Sequence, residues 1–126
     1  MISVGDKARI IKGHPIGYED TITRIFLAAS GETIYQLGYD FVQCQRDEFE
    51  IIERAKDVRQ QYRIGETALY SCKPGEPPKE CLVFEAQYDK VGSASVSPIM
   101  YYIRAGCADF RIVFPDELMP VTYSLF

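Results

Sequence analysis

The chain repeats itself once. Val4-Gly5-Asp6-Lys7-Ala8 leads to Asp47-Glu48-Phe49, and Ile64-Gly65-Glu66-Thr67-Ala68 leads in the same order to Asp116-Glu117-Leu118. The offset between the copies grows from 60 (65 minus 5) to 69 (116 minus 47), so the second copy holds about nine extra residues. Two copies within 126 residues leave each unit roughly 50 to 60 residues, near the lower limit for an independent core. The units therefore need each other, and a solenoid of many repeats is excluded.

Local patterning reads as strand throughout. Lys7-Ala8-Arg9-Ile10 alternates polar with apolar residues, and Gly13, Pro15 and Gly17 break it. Thr21 to Leu27 is rich in β-branched residues and ends at Ser30-Gly31. Thr33 to Leu37, a Gly38-Tyr39-Asp40 turn and Phe41 to Cys44 form a hairpin pattern, followed by one helical turn at Asp47-Glu48-Phe49 and a closing strand. The second copy repeats this order, with its excess in two Pro/Gly/Ser-rich loops, 73–79 and 90–98. Between the copies, residues 53–63 lack Gly and Pro and predict a short linker helix with Val58 and Tyr62 on its buried side.

The first copy resembles an SH3-like barrel of the KOW and Tudor-like kind. The likeness lies in Gly5 to Ile11, the Gly13 to Gly17 loop, Thr21 to Ile25 and the Asp-Glu-Phe and Asp-Glu-Leu turns at 47 and 116. The expected fold is all-β: two tandem small SH3-like barrels, 1–52 and 64–126, joined by the helical linker 53–63. The resemblance bears on fold more than on function.

Charge narrows the partners. Fourteen basic and eighteen acidic residues give a net charge of −4, shared as −1 over 1–63 and −3 over 64–126, which argues against a general polyanion binder. No apolar run is long enough to span a bilayer and the opening residues lack a secretory pattern, so the expected location is the cytoplasm, without membrane contact. Cys44, Cys72, Cys81 and Cys107 show no paired metal-ligand spacing and the single His14 completes no set with them, so reduced thiols and no metal are expected. No phosphate loop, dinucleotide motif or nucleophile elbow is present, so neither a cofactor nor catalysis is expected. The acid pairs Asp47-Glu48 and Asp116-Glu117 sit where carboxylates cap free backbone N–H groups.

Three surfaces remain. Tyr88, Tyr101, Tyr102, Lys73, Lys79 and Lys90 in and around the second copy's loops are the expected partner-binding set; strand alternation places one of Tyr101 and Tyr102 inward and the other outward. Tyr18, Tyr39 and Phe41 lie where Tudor-like barrels place an aromatic cage for a methylated cation. Lys7, Arg9, Lys12, His14 and Arg24 cluster as a nucleic-acid patch. The leading expectation is a non-enzymatic protein-binding module acting through barrel edges and loops. The alternatives are a KOW-like protein that binds nucleic acid weakly, and a phage or mobile-element inhibitor of a host nucleic-acid-processing protein. The oligomeric state stays open.

Overall fold

Alternating sequences give ten strands: β1 (Lys7–Ile10), β2 (Glu19–Leu27), β3 (Thr33–Leu37), β4 (Val42–Cys44) and β5 (Phe49–Glu53), then β6 (Thr67–Tyr70), β7 (Lys79–Tyr88), β8 (Ile99–Ala105), β9 (Ala108–Val113) and β10 (Leu118–Pro120). The computed structural model describes residues 1–40, 42–56, 58–71, 75–89, 97–105 and 108–121, with backbone alone at 108 and 109. The expected all-β class is what it shows. Among the described residues the only helical elements are single 3-10 turns, Arg46–Glu48 and Pro115–Glu117, and none could cross a membrane.

Both units have one connectivity. β5 pairs with β1, β1 with β2, β2 with β3 and β3 with β4; β10, β6, β7, β8 and β9 follow the same path, all antiparallel. Equivalence extends to individual hydrogen bonds. Gly5 N–H donates to the Ile22 carbonyl at 2.8 Å and Gly65 N–H to that of Val83 at 2.7 Å. Both glycines have φ of +94°, a conformation that a side chain strains. Before the last strand of each unit, Gln45 N–H donates to Glu48 Oε1 and Phe114 N–H to Glu117 Oε2, each at 2.7 Å, so the paired acids cap turns.

The units join through β2 and β7. Arg24, Ile25 and Phe26 pair with Gln87, Ala86 and Glu85. Under the repeat, Ile25 corresponds to Ala86, so this pair lies on a local two-fold axis and the pairing is isologous. This junction replaces barrel closure. The edge of β2 that carries β1 as far as Thr21 carries β7 from Arg24 onward, and β7 reciprocates. Among the described residues β4, β5, β9 and β10 each have one partner, and the sheet stays open. One continuous core spans the junction, with Ile10, Ile22, Leu37 and Phe49 from one unit and Val83, Ile99, Tyr101 and Ile103 from the other.

The helical linker is not formed: no helix occurs among the described residues of 54–63. Tertiary partners take the backbone donors that a helix would use internally. Ala55 N–H donates to Asp6 Oδ1 at 2.8 Å, Gln60 N–H to Ser3 Oγ at 2.8 Å and Gln61 N–H to Tyr101 Oη at 2.9 Å. Gln60 also accepts from Val4 N–H at 2.8 Å. Helix propensity is too small a preference to outweigh these three bonds and the Val4–Gln60 bond together. Tyr62 is buried against Tyr101, ring centroids 5.5 Å apart, while Val58 is exposed, so the two do not share a buried face.

Candidate functional site

Strand register turns the repeat into a residue-by-residue correspondence. Ile25 faces Tyr35, and Ala86 faces Tyr101; Tyr35 therefore corresponds to Tyr101, Gln36 to Tyr102 and Leu37 to Ile103. In the same way Cys44, Gln43 and Val42 on β4 correspond to Val113, Ile112 and Arg111 on β9. Both long strands carry an irregularity at one place, between Ile22 and Arg24 in β2 and between Val83 and Glu85 in β7. Thr23 therefore corresponds to Phe84, and Thr21 to Leu82.

Inward positions are apolar in both units, because both must fill a core, except at Arg111, the counterpart of Val42. Outward positions diverge. The first unit has Thr21, Thr23, Gln36 and Gln43, of which Thr23 and Gln36 are buried; the second has Leu82, Phe84, Tyr102 and Ile112. The polar set bonds to itself and to the neighbouring turn: Thr23 Oγ1 donates to the Gly38 carbonyl, and Gln43 Nε2 donates to Gln36 Oε1 at 3.5 Å. The apolar set stacks instead. Phe84 meets Tyr102 edge-on with centroids 6.2 Å apart, and Tyr102 lies parallel to Phe110 at 6.2 Å and 5°. The Arg104 guanidinium caps the strip 5.6 Å from the Phe84 centroid. At its outer end Phe110 is 56% and Ile112 52% exposed. Phe84 and Tyr102 are half-buried, so the exposed apolar surface lies at the Phe110 and Ile112 end.

The residues expected from sequence fall in several places. Tyr102 lies within the strip. Tyr101 is fully buried and belongs to the core, where its hydroxyl accepts from Gln61 and burial raises its pKa; it offers nothing to a partner. Alternation sends it inward because its neighbour Tyr102 points outward. Tyr88 is half-buried at the junction, where a Cβ added to Gly5 would lie 3.3 Å from its ring. Lys79 is exposed at the start of β7, and Lys73 and Lys90 lie outside the described residues, as do 74 and 91–96 of the two long loops.

The proposed cage is not assembled from its described members. Tyr18 donates to Asp20 Oδ2 at 2.6 Å, a bond that pushes its pKa up to about 12. Tyr39 is exposed and reaches the Tyr88 carbonyl at 3.4 Å. No ring contact joins the two tyrosines, and Phe41 lies outside the described residues. The cationic patch is largely neutralised locally. Arg9 pairs with Glu19 at 2.8 Å and Glu50 at 3.2 Å, Lys12 with Asp47 at 3.8 Å and Arg24 with Glu85 at 2.9 Å. Lys7 and His14 are exposed. Cys44 and Cys81 are free, buried thiols, while Cys72 and Cys107 lie outside the described residues.

Leu82, Phe84, Arg104, Phe110 and Ile112 escaped the reading of single strands. Their signal is comparative, since each becomes conspicuous only beside its polar counterpart, and that alignment needs the register. No family model, curated protein or solved structure matches the chain. The informative relative of each half is the other half.

Proposed function

We propose that the chain is a non-enzymatic docking module built from two SH3-like units, the first mainly scaffold and the second presenting the contact face to a protein. The last strand of each unit returns beside the first after a 3-10 turn, which supports the SH3-like reading. One observation carries the function. Four positions on the side of the strands away from the core, polar in the first unit (Thr23 and Gln36 buried, Thr21 and Gln43 not), are apolar in the second, where the strip ends in exposed Phe110 and Ile112. Folding does not demand the apolar set, because the first unit builds the same strands without it. An apolar strip left in water forgoes roughly 25 cal/mol for each Å² that a partner could cover. Ion pairing of Arg9, Lys12 and Arg24 within the chain favours a protein over nucleic acid, whose phosphates need uncompensated cations.

The test is a Phe110→Ser, Ile112→Ser double variant of the full chain, used as bait with covalent cross-linking in cell extract. Both positions are more than half exposed, so the thermal midpoint should stay nearly unchanged. Capture of the partner should fall to background. Capture equal to that of the unaltered protein would remove the face from consideration and return attention to the loops around Lys79.

A further inference from the structure

We infer that the free edge of β9 accepts an added strand from a partner protein in which apolar residues alternate with acidic ones. This rests on the docking reading above and says what the face would take. Among the described residues β9 pairs only with β8 and, at six residues, is longer than the other single-partnered strands, β4, β5 and β10. Its unpaired edge offers a row of backbone donors and acceptors, which is how extended peptides add to sheets.

Alternation along β9 supplies the selectivity. Phe110 and Ile112 continue the outward aromatic strip. Arg111 lies between them, in register with the buried Ile103 and therefore on the opposite side of the strand, yet it is exposed. Among the described residues it has no ion-pair partner. A strand laid along this edge would bring alternate residues beside Phe110 and Ile112, and the intervening ones beside Arg111. Neighbouring side chains on adjacent strands interact directly, opposite charges attracting and like charges repelling. The complement is apolar on one side and carboxylate on the other. A purely apolar strand would leave the arginine unpaired against it, so Arg111 also guards the edge against indiscriminate pairing.

Three capped synthetic peptides of about nine residues, near the upper end of ordinary strand length, test this against the full chain. One alternates valine with glutamate, one alternates valine with lysine, and one has the first peptide's composition with its valines and glutamates in two blocks. Titration followed by amide chemical shifts should show the alternating glutamate peptide binding about tenfold more tightly than either control, a difference of about 1.4 kcal/mol, with shifts concentrated on β8 and β9. Arg111→Glu should reverse the preference in favour of the lysine peptide. Equal binding by all three, binding by none, or a preference that Arg111→Glu leaves in place would overturn the inference. Concentration-dependent dimers in light scattering that Phe110→Ser abolishes would also overturn it, by making a second copy the occupant. If cross-linked capture depends on Phe110 and Ile112 while the peptide preference fails, docking stands and strand addition does not. If capture is indifferent to those residues, both fall.

Discussion

Arg24 and Glu85 hold the same place in the two repeats and meet across the junction, Nη2 to Oε1 at 2.9 Å. Equivalent positions have taken opposite charges, so a first unit meets a second unit with an attractive pair, whereas two identical units would meet with a repulsive one. The carboxylate side chain is 6% exposed, and the guanidinium lies 4.1 Å from the Phe26 ring centroid, so water screens the pair weakly.

Glu85→Gln should therefore lower stability by about 2 kcal/mol, as expected for losing a charge-assisted hydrogen bond. Glu85→Arg should cost more, because two cations would then share the junction. Adding Arg24→Glu should restore at least half of that loss, the sign of coupling expected for a direct pair. Urea denaturation of these proteins together with the Arg24→Glu single variant, five in all with the unaltered chain, measures this, and strictly additive effects would show that the two charges do not interact.

The ordered linker makes a second prediction. Asp6 is fully buried, and its carboxylate accepts from Ser3 N–H at 3.0 Å, Ala55 N–H at 2.8 Å and Arg59 Nη1 at 2.6 Å. Asp6→Ala strands three donors and unties the linker from the first unit, so stability should fall by about 3 kcal/mol. Amide exchange should quicken at Ala55, Gln60 and Gln61. Unchanged exchange at these amides would mean that the linker is held without Asp6, by its bonds to Ser3, Val4 and Tyr101 and by Tyr62 packing.

Gly5 and Gly65 offer a matched comparison within one molecule. Both have φ of +94°, so alanine at either should cost about 1 kcal/mol in backbone strain. At Gly5 the new Cβ would also lie 3.3 Å from both Ala55 and Tyr88, whereas at Gly65 nothing lies within 4 Å. Gly5→Ala should therefore destabilise more than Gly65→Ala. Equal losses would show that the Tyr88 contact yields without cost.

Much of this architecture is legible in the sequence, and the reasons for the exceptions are physical. Alternation announces the strands, and the positions of β1 and β8 follow from it because one face of each is buried. The duplication announces two like units. The β2–β7 junction is hidden, since residues that pair across it are apolar or polar for reasons that any strand would share. The linker misleads because its helix formers are overruled by bonds to Ser3, Val4, Asp6 and Tyr101, partners remote in sequence. For the candidate face, alternation shows that one of Tyr101 and Tyr102 is outward, and only the register tells that it is Tyr102. Phe84 and Ile112 read as ordinary strand apolars until Thr23 and Gln43 are known to hold their places in the other unit.

The last prediction concerns alkaline pH. Burial, with a smaller contribution from Glu48, pushes the Cys44 thiol up to about 11, against an ordinary value near 9. The folded state therefore holds the Cys44 proton more tightly than the unfolded chain does. Its contribution is fully present below about pH 9 and fades as pH rises toward 11, since the unfolded state then binds fewer protons. Tyr18, held up to about 12 by Asp20, acts in the same direction over a higher range, from about 10 to 12. The urea midpoint should accordingly fall steadily above pH 9. Cys44→Ala should flatten the part of that fall between pH 9 and 11 and leave the part due to tyrosine, and at pH 8 native Cys44 should react with a thiol reagent far more slowly than in urea. Superimposable pH profiles for the two proteins would show that Cys44 does not carry the effect.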